Sequence, residues 1–111
     1  MKNYLFIAIF AFLFISSPMN AAIYKGHRVF TKVCNDCHGS GVMFVSKKTI
    51  SQWKKMMKKK GEKLSKLHLK SKKAKASWKY FKSKKFTRKT KHLKDFLLEY
   101  AKDSGNVPAC N

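Results

Sequence analysis

Apolar residues recur three or four positions apart along most of the chain, the spacing of one face of an α-helix. This spacing predicts five helices, over residues 23–34, 46–61, 62–70, 74–82 and 90–105. Gly61 and Gly105 stand where helix-ending glycines are expected, and Gly39 and Gly41 interrupt the chain after the first helix. No stretch shows the strict alternation of a half-buried strand. The sequence therefore predicts an all-α fold.

The beginning of the chain has the order of a secretory signal peptide. Lys2 precedes an apolar run over 5–15, and small or polar residues follow as far as Ala21 and Ala22. The run is shorter than the roughly 18 residues of a membrane-spanning helix, which disfavours an uncleaved anchor. We expect residues 1–22 to be removed and residues 23–111 to form one domain. A core that small usually needs a crosslink, a metal or a cofactor.

The charge of the chain is strongly positive. It carries 26 lysines and arginines against five acids, for a net charge of +21. Between Lys47 and Lys94 there are 21 basic residues, and Glu62 is the one acid. Aromatic residues such as Trp53, Trp78 and Phe86 are interspersed among them, which a disordered polybasic tail would lack. The composition predicts a folded domain whose basic surface attracts acidic proteins, anionic lipid or nucleic acid.

The segment Cys34-Asn35-Asp36-Cys37-His38 carries the candidate chemistry. A structural zinc site needs four ligands, and no second pair of ligands is visible. A thioredoxin-like dithiol would follow a strand of a βαβ unit, which the pattern does not show. The third possibility is covalent c-type haem, in which both cysteines bind the porphyrin vinyl groups and the adjacent histidine ligates the iron. A simple disulfide between Cys34 and Cys37, with no cofactor, remains the alternative.

At "GHRVFTKVCNDCH" the chain resembles the class I cytochromes c, with Gly26 and Phe30 eight and four residues before the first haem cysteine. In that family this pair faces the C-terminal helix, here "LKDFLLEY". The resemblance covers residues 23–41 and 90–104. The segments "GEKLSKLHLK", "SWKYFK" and "AKDSGNVPACN" look like small periplasmic cytochromes of epsilon-type bacteria. The resemblance to class I cytochromes c implies a small helical domain around one covalent haem c, held by Cys34 and Cys37, with His38 as proximal iron ligand.

The distal iron ligand is the point at which the chain departs from the family. Class I cytochromes usually offer a methionine in the loop before the last helix, but that loop, expected over Ser83–Lys91, has none. We favour His68, which follows Leu64 and Leu67 on an apolar helix face, and take Met57, with its neighbour Met56, as the alternative. Three further options remain, namely His92, a lysine ligand and an open iron site.

The resemblance implies a periplasmic carrier of single electrons rather than an enzyme. Its partners would be acidic redox proteins, such as respiratory complexes, an oxidase, a reductase or a peroxidase, and an anionic membrane surface is a further possibility. The alternative is a haem-based sensor or small-ligand binder with an open distal iron site. A third hypothesis is a basic protein that binds polyanions, although secretion makes nucleic acid an improbable partner. Cys110 has no assigned role.

Overall fold

The computed structural model describes residues 18–106, and this part of the chain contains helices and no strand, as predicted. The helices are α1 (Pro18–Val33), α2 (Asn35–His38), α3 (Gly41–Val45), α4 (Ile50–Lys70), α5 (Trp78–Phe81) and α6 (Lys84–Glu99), with a 3₁₀ helix over Lys72–Ser77. Most of the expected signal peptide and Cys110 lie outside the described residues. Within those residues, no helix combines the length and apolarity needed to cross a membrane.

The first and last helices pack closely where a glycine removes the side chain between them. A Cβ atom on Gly26 would overlap the carbonyl oxygen of His92 and lie 2.7 Å from Cβ of Phe96. One turn further along α1, the ring of Phe30 lies 5.8 Å from that of Phe96, centroid to centroid. The predicted pairing of Gly26 and Phe30 with the C-terminal helix is confirmed.

The core is formed by α1, α3, α4 and α6 together. Its buried residues are Phe30, Val45, Trp53, Met57, Leu93, Phe96, Leu97 and Ala101. The one polar atom of Trp53 is satisfied, because Nε1 donates a hydrogen bond of 2.8 Å to the carbonyl of Val45. This bond ties α3 to α4 and satisfies a donor that would be costly to bury without a partner.

Helix α4 begins at Ile50, four residues later than the pattern predicted, because Thr49 caps it. The Thr49 side chain accepts from the backbone N–H of Gln52, and the Gln52 side chain accepts from the backbone of Thr49, which makes a capping box. Asp103 Oδ1 also accepts from the N–H of Ile50 at 2.7 Å, so the chain after α6 secures the same helix end.

The predicted stop at Gly61 is confirmed, because α4 consists of two helical segments that meet at a kink over Lys58–Gly61. Lys58 is extended, Lys59 and Lys60 adopt the left-handed region with φ of 50° and 54°, and Gly61 follows with φ of 73°. The chain then resumes helical geometry as far as Lys70. A left-handed residue with a side chain costs roughly 1–2 kcal/mol, so the two lysines hold this turn under strain.

Three expectations for the C-terminal half were wrong. The last helix, α6, ends at Glu99 rather than at Gly105. The segment Ser83–Lys91 is not a loop, because α6 already begins at Lys84, where the Ser83 side chain accepts from the N–H of Phe86. Phe86 and Thr90 are buried with Leu93, so the apolar stripe extends two turns earlier than the sequence suggested. The helix expected over 74–82 is divided between the 3₁₀ helix and α5.

Candidate cofactor site

The cysteine motif forms a short helical turn that continues directly from α1. The N–H of Cys34 bonds to the carbonyl of Phe30 at 2.8 Å, and the N–H of His38 bonds to that of Cys34 at 3.0 Å. Gly39, with φ of 75°, then ends the turn. Cys34, Cys37 and His38 are thereby presented together at the end of a helix that α6 holds in place.

These three residues line a cleft of about 310 Å³. Leu67 and His68 from the end of α4 and Phe81 from α5 line the same cleft. A second cavity, of about 180 Å³, shares several of these residues and extends to the core. The shared lining residues are Cys34, His38, Leu67, His68 and Phe81. The site is therefore an apolar space lined by two thiols and two histidines.

The rings of the two histidines lie close together in this space. The ring centroids of His38 and His68 are 6.0 Å apart, and the ring planes are nearly perpendicular, at 84°. His68 Nδ1 lies 2.7 Å from the carbonyl oxygen of Leu64, which accepts a hydrogen bond from the Nδ1–H group. That bond selects the tautomer whose Nε2 carries a lone pair, and it is the hydrogen bond that metal-binding histidines typically make with the second ring nitrogen.

Aromatic rings fix the orientation of both histidines. Phe81 stacks on His68 with centroids 4.3 Å apart and planes 26° apart, and Phe44 lies against His38 at 4.2 Å. The end of α4 that carries His68 is held from the other side. Trp78 Nε1 lies 2.8 Å from the carbonyl of His68 and donates to it. The His68 backbone and ring are thus both held in place.

The protonation of the motif residues suits the same chemistry. Burial, reinforced by the charge of Cys37, raises the pKa of the Cys34 thiol to about 12, so the free side chain is neutral at pH 7. A thioether at this position would also be neutral. Partial burial lowers the pKa of the His38 imidazole, and His68 and then Lys47 lower it further. The neutral imidazole so favoured is the form that binds a metal ion.

The remaining ligand candidates lie elsewhere or contribute less directly. Met57 is 4% exposed within the core and lines neither cavity, whereas Met56 lines the inner one. His92 is half-buried on α6, where its Nδ1 has no hydrogen-bond partner among the described residues. The structure thus brings Cys34, Cys37, His38 and His68 to one cleft. It places Met57 and His92 away from that cleft.

Sequence reasoning missed Phe81 and the carbonyl of Leu64 as partners of His68. Phe81 stood on a predicted apolar stripe, but its contact with His68 depends on how α5 folds back onto α4. The Leu64 carbonyl could have been predicted only from its position four residues before a histidine in a helix.

The donor set fits a haem of the c type. The cleft brings two thiols and two imidazoles together, with the rings of His38 and His68 6.0 Å apart, centroid to centroid. Two thiols and an imidazole are the groups that hold a haem of the c type, and a second imidazole is a common further ligand of haem iron. Within residues 18–106, no three His, Cys, Asp or Glu side chains gather in an arrangement for a bare metal ion. Haem iron takes only its axial ligands from the protein.

Comparison of the chain with protein-family models, curated proteins and solved structures gives no match.

Proposed function

We propose that this chain is a small monohaem c-type cytochrome of the class I kind, which carries single electrons between respiratory partners in the periplasm. The observation that carries the proposal is the cleft that Cys34, Cys37, His38 and His68 line together, with the rings of His38 and His68 6.0 Å apart, centroid to centroid. The motif alone would support covalent haem, and His68 would supply a second iron ligand.

Each residue of the cleft has a defined task in this proposal. Cys34 and Cys37 would hold the haem through thioether bonds, while His38 and His68 would bind its iron. The haem would supply reversible one-electron chemistry. The Leu64 carbonyl accepts a hydrogen bond from His68 Nδ1–H, which leaves Nε2 as the nitrogen that would bind the iron. An iron held by two protein side chains would have no position for a substrate, which favours a carrier over an enzyme or a sensor.

The apolar walls of the cleft also contribute. Phe44 and Phe81 pack against the two histidines, and Leu67 and Trp53 line the space between the core and the cleft. These contacts would hold the two imidazoles in one geometry in both oxidation states of a bound haem. Little reorganisation on a change of one charge would suit rapid electron exchange.

Removing His68 tests this assignment. We expect His68→Ala to open the iron, so that carbon monoxide binds the reduced protein within milliseconds in stopped-flow absorption measurements. The unaltered protein is expected to bind it slowly or not at all, because His68 must first dissociate.

Met56→Ala and Met57→Ala are the matched controls. Met56 lines the inner cavity and Met57 fills the core, so their loss costs stability without freeing an axial position. Circular dichroism verifies that each variant is folded. Rapid carbon monoxide binding in either methionine variant, but not in His68→Ala, would assign the iron to methionine. Rapid binding by the unaltered protein would favour the open-site sensor.

A further inference from the structure

A groove of about 390 Å³ runs along the part of α4 that contains the left-handed turn. We call it the lysine groove. Its basic residues are Lys55, Lys58, Lys59, Lys63, Lys66 and Lys70. They come from both sides of the turn, so the change of direction at Lys58–Gly61 brings the two lysine sets together.

The backbone that builds this groove is strained. Lys59 and Lys60 are the two residues other than glycine with positive φ among the described residues. Strained backbone of this kind persists where the surrounding structure enforces it, and it clusters at functional sites. Here Gly61 is buried, and a Cβ there would lie 2.9 Å from the ring of Phe86, so packing against α6 enforces the turn.

The charge of the groove needs an anionic counterpart. Six ammonium groups share one concave surface with a single carboxylate, Glu62, whose Oε1 lies 2.7 Å from Lys66 Nζ. Like charges held together destabilise the compact state, and that cost is recovered when an anionic partner docks. A partner with several carboxylates would pair with the lysines that Glu62 leaves free.

The lysine groove shares a wall with the cofactor cleft. Leu67 is 48% exposed, an unusual value for a large apolar residue in so charged a surface, and it lines the groove, the cleft and the inner cavity. A partner seated in the groove would therefore cover Leu67 and stand one side chain away from the site between His38 and His68. Electron transfer needs such proximity.

We propose that the lysine groove is the docking surface for an acidic redox protein, which presents carboxylates around an apolar residue that covers Leu67. This inference rests on the proposed electron-carrier function and adds the location of the partner. Glu62 favours a protein over a uniform polyanion, since it would repel phosphates but accept a basic side chain from a mixed surface.

The test compares two variants that lose the same charge. The groove variant carries Lys58→Gln, Lys63→Gln and Lys70→Gln. The control variant carries Lys25→Gln, Lys32→Gln and Lys89→Gln, three exposed lysines that line a separate basic groove between α1 and α6. The acidic probe is plant-type ferredoxin, whose reduced cluster, at about −400 mV, can donate an electron. Stopped-flow absorption measures the transfer rate at low salt, and calorimetry measures binding of the oxidised probe.

We expect the groove variant to slow the second-order transfer about tenfold and to weaken binding similarly, since local charge governs encounter. The control variant should change either quantity less than about twofold. Equal losses in both variants, or loss in the control alone, would overturn the proposal. So would selective loss of binding to inorganic polyphosphate, or to phosphatidylcholine–phosphatidylserine vesicles, in a groove variant that still binds ferredoxin.

The two readouts separate this inference from the function on which it rests. A protein without haem would show no electron transfer in any variant, and the proposed function would fail. Calorimetry would still report whether the groove lysines bind the acidic protein. If the haem spectra were normal but the groove variant bound ferredoxin as tightly as the unaltered protein, only the proposed docking surface would be overturned.

Discussion

Gly26→Ala tests the helix pairing that holds the cysteine motif in place. The added methyl group would overlap the carbonyl oxygen of His92 and lie 2.7 Å from Cβ of Phe96. Ordinary contacts between carbon atoms are about 3.5–4.0 Å, so α1 and α6 must separate by about 1 Å. The methyl group cannot avoid these atoms, because the backbone of residue 26 fixes its position and the carbonyl oxygen of His92 belongs to the backbone of α6.

The two opposing contributions can be estimated. Overpacking of a well-packed core costs about 1–3 kcal/mol, and rigid backbone in the overlap places this site near the upper value. Alanine returns up to about 1 kcal/mol through its higher helix propensity. We therefore expect a net loss of about 2 kcal/mol. For a domain of this size, that corresponds to a fall in melting temperature of about 10 °C.

The assay is thermal unfolding of the haem-loaded protein, followed by far-ultraviolet circular dichroism. Gly105→Ala is the control, because Gly105 has a φ of 80° and open space around its Cβ position. That change costs only the left-handed strain, about 1 kcal/mol. If Gly26→Ala were as stable as the unaltered protein, or more stable, the close approach of α1 and α6 would be refuted.

Three further predictions concern single side chains. Burial, and next the charge of Cys34, raise the pKa of Tyr80 to about 12, above the ordinary value of 10. The unfolded chain therefore loses this proton first, and stability should fall as pH rises from about 10 towards 12, with the fall reduced in Tyr80→Phe. Phe81→Leu should change the electron paramagnetic resonance anisotropy of the ferric protein, because the ring stacked on His68 is lost; an unchanged spectrum would exclude a positioning role. Thr49→Ala should cost about 1 kcal/mol in urea unfolding through loss of the capping box, whereas Thr49→Ser should restore most of it.

The sequence was sufficient for what depends on local spacing. The periodicity of apolar residues predicted the helical class, whereas the pairing of Gly26 and Phe30 with the C-terminal helix followed from the resemblance to class I cytochromes c. Cys34, Cys37 and His38 lie within five residues, so their placement on one turn needs no tertiary information. His68 was favoured because it follows Leu64 and Leu67 on an apolar helix face and because the haem iron implied by the resemblance needs a second ligand.

Other features depend on tertiary contacts that local patterns do not encode. Helix α6 begins earlier than predicted because Phe86 is buried against α4. The lysines around Phe86 interrupt the apolar spacing that would have indicated this burial. Lysine rarely adopts the left-handed conformation, so the positive φ angles of Lys59 and Lys60 could not be predicted from residue type. They depend on the packing around Gly61. Phe81 reaches His68 because the 3₁₀ helix turns the chain back onto α4, and no spacing rule anticipates that contact.

The absorption spectrum of the purified protein, in its oxidised and reduced forms, tests the central claim most directly. We predict the bands of a c-type haem that stays with the polypeptide after acid denaturation. We also predict that the oxidised protein lacks the weak far-red band of methionine-ligated ferric iron, since His38 and His68 would take both axial positions. A protein without haem bands would contradict the cytochrome assignment, and a clear methionine band would contradict the pairing of His38 with His68.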